Sequence, residues 1–218
     1  CQSTQIALLS LAMNFSTRIQ HLQDLIGSSE RLLREEIPKG HIDLTSSVPP
    51  FPVPGVLLNA AQEIIRSENM NYTETYGLPK LRDALAEKYE IGWGKKGVTI
   101  TTGTTEALFC LAAAMLDPND ELLVPSLTLR AHESVGHFFS GTVTEYPIYL
   151  DSDHPVSAEK LIEFISKKTK AILVNNPLIA TGQLFDPKEF EKLSKYCEEN
   201  DIFILVDESF YEVRFAGS

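Results

Sequence analysis

The sequence is read as having no CxxC pair, no Walker lysine, no glycine-rich dinucleotide loop, and no basic run beyond a few residues. The first three absences leave zinc, ATP and NAD sites without support. The last, with a net charge of -11, argues against a nucleic-acid phosphate surface. Cysteine is scarce: Cys1, Cys110 and Cys197 are odd in number and widely scattered, so no disulfide framework is expected and a reducing, cytoplasmic setting is. No apolar run approaches the length needed to span a bilayer, so a soluble chain is expected. The opening CQSTQIALLSLA lacks a basic leader, which argues against a secretory signal, and Met13 is a candidate natural start.

What is present is a globular composition: 218 residues, 43% of them hydrophobic, enough for one large domain or two small ones. The organising stretch is Val98 to Leu116. Val98, Thr99, Ile100 and Thr101 are β-branched and predict a buried strand. Gly103 permits a sharp reversal, and Ala107 to Leu116 predicts an apolar helix. Gly103-Thr104-Thr105 therefore lies at a helix N-terminus, where unpaired N–H groups and threonine hydroxyls suit either of two roles, a helix cap or an anion site.

Ahead of this stretch, Phe15, Ile19, Leu22, Leu25 and Ile26 recur at helical spacing, and a second short helix is expected over Glu30 to Glu36. Ile42 to Thr45 reads as extended, and the prolines of Val48 to Pro54 make an ordered loop or a linker. This divides a 1–54 arm from a 55–218 domain. Gly55 to Ser67 is amphipathic, and a polar loop from Asn69 leads through Gly77 into a helix begun near Pro79. Beyond it come short strands at Glu121 to Pro125 and Val143 to Ile148, a helix over Ala131 to Phe139, and a helix from Ser157 to Ile165 capped by Ser157. Lys170 to Asn175 and Ile202 to Val206 are apolar runs of the kind a parallel sheet buries on both faces. Asp186-Pro187-Lys188-Glu189 is a strong helix start. Strands alternate with helices, which predicts an α/β fold with a mainly parallel sheet and ligands beyond the strand C-termini, where Gly103, Asn175 and Asp207 fall. Cys110 reads as core, and His132 and His137, with no third ligand near, as packing or surface histidines.

Five motifs in register, YxxxxGLPxLRxAL from Tyr72, TTGTTEAL from Thr101, DPxDELLVPS from Asp117, KTKAILVNNP with TGQ from Lys168, and VDE from Val206, resemble the class I/II aminotransferases, pyridoxal-phosphate enzymes of fold type I. The resemblance spans about Leu44 to Phe215 and implies a large cofactor domain, a homodimer with sites at the interface, and imine formation between an amino acid and the cofactor. Carried over by position, it assigns Gly103, Thr104 and Thr105 to the cofactor phosphate, Tyr72 to the same phosphate from the neighbouring subunit, and Asp207 to the protonated ring nitrogen. The departures are as informative. Ile179 stands at the family's asparagine for the ring hydroxyl, Phe210 at its tyrosine, Leu129 at its stacking aromatic, His132 at a second position usually aromatic, and Ser47 at a glycine beside the substrate. These changes weaken the cofactor site.

No lysine follows Asp207, and none of the twelve present sits where the family's Schiff-base lysine does. The arginine that binds the substrate carboxylate is missing with it. The isolated chain is therefore expected to be inactive, with two strands absent between the Val98 and Ala171 strands and the sheet left with open edges. A complementing C-terminal chain or a longer product would supply both. Alternatives are a degenerate, non-catalytic module for ligand binding or partner docking, and a relative with altered, lyase- or decarboxylase-like cofactor chemistry.

Overall fold

The structure, a computed structural model, describes residues 40, 42, 51–67, 71–139, 141–150 and 156–213. The two helices expected at the N-terminus, Ser47 and most of the arm lie outside the described residues. The chain forms two compact units, Leu33–Thr102 and, with Cys1–Leu32, Gly103–Ser218.

In the first unit, α1 (Gly55–Arg66) and α2 (Pro79–Lys88) are followed by a 3-10 turn at Gly94–Gly97. Pro79 opens α2 because its fixed φ suits the first helical position and its missing N–H is not needed there. The amphipathic α1 forms as expected, but Val56, Leu57, Ile64 and Ile65 of its apolar face are all exposed. Arg82 is buried and donates from Nε to Val98 O at 2.8 Å and from Nη2 to Lys95 O at 2.6 Å. Val98 is extended, yet Val98–Thr101 joins no sheet among the described residues, contrary to the strand expected there. Its backbone is engaged otherwise, by Arg82 at Val98 and by Tyr76 O, which accepts from Ile100 N at 3.0 Å. β-branched residues make a backbone extended; a ladder also needs a neighbour. Contrary to the absence read from the sequence, Gly92, Gly94 and Gly97 do have the glycine spacing of a dinucleotide loop, but the segment follows a helix and ends in extended chain, so no helix N-terminus follows it.

The second unit contains a four-stranded, wholly parallel sheet of order β2-β1-β3-β4: β1 (Glu121–Pro125), β2 (Thr142–Tyr146), β3 (Thr169–Asn175) and β4 (Phe203–Asp207). Side chains alternate between two apolar layers. Leu122, Val124, Ala171 and Leu173 meet Leu108, Ala112 and Leu116 of and just after α3 (Gly103–Met115) and Val135 of α4 (Arg130–Phe139). Leu123, Tyr146, Ile172 and Val174 meet Leu161 of α5 (Ala158–Ile162) and Leu193 and Cys197 of α6 (Pro187–Glu199). Covering by helices on both faces is why the central strands are continuous apolar runs. The strand holding Ala171 has β1 on one side and β4 on the other, so both of its edges are taken and any strand added to this sheet lies beyond β4 or β2. β4 leaves Phe203 and Val206 exposed.

Three local expectations are corrected. Only the Leu108–Ala112 stripe of α3 is buried, so Cys110 is exposed while Phe109 rests against Phe138 and Phe139. Ser157 makes no cap bond; Ala158 N donates instead to Glu189 Oε2 at 2.8 Å, reaching across from α6. α5 stops at Ile162 rather than Ile165. By contrast, Asp186 does cap α6, its Oδ1 accepting from Lys188 N at 2.8 Å and Glu189 N at 3.3 Å.

α4 lies close on the sheet because residue 136 has no side chain: a Cβ there would fall 2.5 Å from Val143 Cγ2 and 3.0 Å from Leu122 Cδ2. Gly136→Ala is expected to destabilise the protein by about 1–3 kcal/mol through overpacking, visible as a lower urea midpoint with unchanged slope.

Candidate cofactor site

Four loops and helix ends converge at the C-terminal end of the sheet, and they do so through one carboxylate. β3 and β4 run in register so that Asn175 pairs with Asp207, the last residue of each strand. The loop after β1 brings Thr128 and, in the first turn of α4, His132 to the same place. The chain reverses after Asp207 so that Ser209 folds back on it.

Asp207 Oδ2 receives His132 Nε2 at 3.1 Å and Asn175 Nδ2 at 3.4 Å. Its Oδ1 receives the Ser209 N–H at 2.9 Å and the Ser209 hydroxyl at 2.5 Å. On the far side of the imidazole, Nδ1 meets the Thr128 hydroxyl at 2.6 Å, and that hydroxyl lies 3.2 Å from Asn175 Oδ1. Burial pushes the Asp207 carboxyl up, but the hydrogen bonds from His132 and from the Ser209 hydroxyl and N–H outweigh it and hold the group at about 2. The site thus keeps a buried anion whose acceptors are oriented by donors from three elements. His132, read from sequence as a packing or surface residue, is 2% exposed and paired with Asp207.

Gly103 opens α3 with φ +80°, a conformation glycine adopts without strain, and a Cβ there would meet open space. Thr104 and Thr105 follow, both exposed, and the Thr104 hydroxyl lies 2.8 Å from that of Ser209. The head of α3 is therefore tied to Asp207 through one serine. Leu129, Ile179 and Phe210 lie on the loops after β1, β3 and β4, and carry no polar side-chain atom. Leu129 is exposed and the other two are half-buried. Asn176, three residues before Ile179, accepts through Oδ1 from Phe185 N at 3.0 Å. Tyr72 belongs to the other unit and is fully exposed; Ser47 is outside the described residues. A hollow lined by Lys160, Lys188, Lys192, Glu159, Asp186 and Glu189 shares no residue with this cluster, and its charges balance. Among the described residues no group of three His, Cys, Asp or Glu is placed to hold a metal, and no helix is long and apolar enough to cross a membrane.

A sequence profile of the family described as Aminotransferase class I and II matches residues 39–218. The chain belongs to that family. It is 30% identical over 166 residues to a probable aspartate/prephenate aminotransferase of Aquifex aeolicus, covering 74% of this chain and 42% of that one. It is also 30% identical to an aspartate aminotransferase of Bacillus subtilis, covering 82% and 47%. Among solved structures, a mutant Thermus thermophilus aspartate aminotransferase superposes with a TM-score of 0.76 at 28% identity, over 89% of this chain and 50% of the other. An alanine aminotransferase of Pyrococcus furiosus superposes with a TM-score of 0.75 at 28% identity, over 89% and 52%. The chain spans about half the length of the curated relatives it matches. The family is pyridoxal-phosphate dependent, and the residues present fit that group at both ends: an ionised, buried carboxylate for a ring cation, and a helix head opened by glycine for a phosphate.

Proposed function

We propose that this chain is the cofactor-binding portion of a pyridoxal-phosphate-dependent aminotransferase acting on an amino acid and a 2-oxo acid, with the Schiff-base lysine and the substrate-carboxylate arginine supplied by residues outside these 218. The observation that carries this reading is the Asp207 carboxylate, kept ionised at the end of β4 by His132 and Ser209. When bound, the cofactor supplies an electron-withdrawing ring. Asp207 holds a proton on the ring nitrogen, His132 and Asn175 fix the carboxylate's orientation, and Gly103, Thr104 and Thr105 hold the phosphate at the head of α3. Tyr72 reaches that phosphate from the neighbouring subunit of a homodimer, and Ser47 lies beside the substrate. Leu129 and Ile179 cover ring surface by apolar contact where hydrogen bonds or stacking would otherwise serve, and Phe210 gives no phenol to the ring hydroxyl. The division into a 1–54 arm and a 55–218 cofactor domain, and a cytoplasmic setting, belong to the same reading.

The apolar side chains at 129, 179 and 210 favour a second reading, a non-catalytic module or one of altered cofactor chemistry that keeps the phosphate turn and Asp207. A pyridoxal phosphate titration followed by absorbance, borohydride reduction and intact mass separates the cases. The 218-residue chain is expected to bind the cofactor and to show no specific borohydride-stable mass gain, whereas the protein with its lysine shows one and transaminates. No binding by either preparation would defeat the first reading, and binding by the complete protein without turnover would establish the second.

A further inference from the structure

In the proposed function Ser209 enters only as a donor that helps to keep Asp207 ionised, yet it makes the shortest contact to that carboxylate. Its hydroxyl lies 2.5 Å from Asp207 Oδ1 and 2.8 Å from Thr104 Oγ1, the second contact joining residues 105 apart in sequence. An ionised carboxylate only accepts, so the single Ser209 proton goes to Asp207. Ser209 Oγ can then only accept from Thr104, which directs the Thr104 proton away from solvent and toward Ser209.

We propose that Ser209 is a positioning residue, the middle of a hydroxyl relay that runs from Thr104 at the head of α3 to the Asp207 carboxylate. The proposal rests on Asp207 and the α3 turn being two ends of one cofactor site, and it adds what joins them. The relay sets the two ends against each other. An anion arriving at the turn must take the Thr104 proton from Ser209, while Asp207 draws on the same serine. Without the Ser209 hydroxyl, Asp207 keeps the 209 N–H, His132 and Asn175 but loses its closest donor, and the Thr104 proton is released for an anion. Ser209→Ala therefore acts in opposite directions at the two ends, whereas a serine that merely stabilises the loop would move both the same way.

The test uses the full polypeptide without pyridoxal phosphate. The Asp207 carboxyl carbon and the His132 ring nitrogens are followed by NMR at fixed pH, and inorganic phosphate is titrated into Ser209→Ala, Ser209→Thr, Thr104→Val and the Ser209→Ala/Thr104→Val double variant. Ser209→Ala is expected to move the Asp207 and His132 resonances and to tighten phosphate binding about three- to tenfold, the factor set by one neutral hydrogen bond. Thr104→Val moves the Asp207 resonance in the same direction by less and removes the gain in phosphate affinity from the double variant. Ser209→Thr restores both signals, which separates the hydroxyl's role from a packing defect. An unchanged Asp207 resonance in Ser209→Ala, or a Thr104→Val variant silent at Asp207, overturns the relay. Absence of phosphate binding by the unmodified protein counts against the anion role of the turn, and the resonances then decide the relay alone. Failure of pyridoxal phosphate to bind would defeat the proposed function without touching these readouts.

Discussion

Replacing Asp207 by asparagine is expected to weaken pyridoxal phosphate binding at least about a hundredfold while leaving the fold intact at neutral pH. The size follows from the contact that the proposed function assigns to Asp207: a buried ionised group facing a ring cation, whose loss costs about 3–5 kcal/mol when one partner is left uncompensated. Asparagine keeps the shape but not the acceptors. Its Oδ1 can still receive two donors, while its amide nitrogen confronts either His132 Nε2 or the Ser209 donors, all of which point protons inward. Fluorescence-monitored titration of the cofactor into wild type and Asp207→Asn checks the number. Equal affinities would show that the ring nitrogen does not meet this carboxylate.

The same residue sets an acid limit on stability. Asp207 is held at about 2 in the folded protein against an ordinary value near 3.8. A depressed folded value means the contribution is complete above the unfolded value and is lost as pH falls through the folded one. It amounts to about 2 kcal/mol, disappearing between about pH 4 and pH 2. Asp207→Asn should flatten that portion of the stability curve, measurable by urea midpoints over the same range.

The parts of the fold that were legible in the sequence are those fixed by short-range chemistry or by burial on both faces. Asp186-Pro187 starts α6 because a carboxylate two residues away can take its first N–H groups, which needs nothing from the rest of the chain. The apolar run of β3 announces a strand covered by helices on both faces; that of β4 reads the same way, but β4 is an edge of the sheet among the described residues and leaves Phe203 and Val206 exposed. What stayed hidden depends on distant segments. His132 sits 75 residues before Asp207 by number, and only the placing of β1 beside β3, and β3 beside β4, brings the start of α4 over the end of β4. One signal was available: a histidine one helical turn after Thr128, in a segment following a buried strand, offers both ring nitrogens to partners. Val98–Thr101 failed in the opposite way, since its residues favour extension but no neighbour forms a ladder with it among the described residues. Ser157 was a plausible cap that lost its place to Glu189, a longer side chain arriving from another helix.

At the opposite end of the sheet a second buried carboxylate makes the other large prediction. Glu121, the first residue of β1, accepts the hydroxyls of Ser166 at 2.8 Å and Thr169 at 2.5 Å on Oε1 and of Thr144 at 2.7 Å on Oε2. Two of these donors have no choice of direction. The Thr169 oxygen already accepts from Ser166 N, and the Ser166 oxygen from Lys168 N, so each hydroxyl proton must leave toward Glu121. The carboxylate therefore clamps the starts of β1 and β3 to the middle of β2. Burial pushes it up, but the hydroxyls of Thr169, Thr144 and Ser166, with the charge of Lys168, outweigh that and hold it below the usual carboxylate range. Glu121→Ala leaves hydroxyls without an acceptor and should cost about 3 kcal/mol, whereas Glu121→Gln, which keeps one carbonyl for Ser166 and Thr169 and lets Thr144 turn round, should cost about 1 kcal/mol. Because the folded value is depressed, the carboxylate's contribution is present above its unfolded value and fades as pH falls below it, so the gap between wild type and Glu121→Gln should close on acidification. Urea unfolding at pH 7 and in mild acid gives both comparisons. Equal midpoints for the alanine and glutamine variants would mean that packing, not the carbonyl acceptor, is what Glu121 provides.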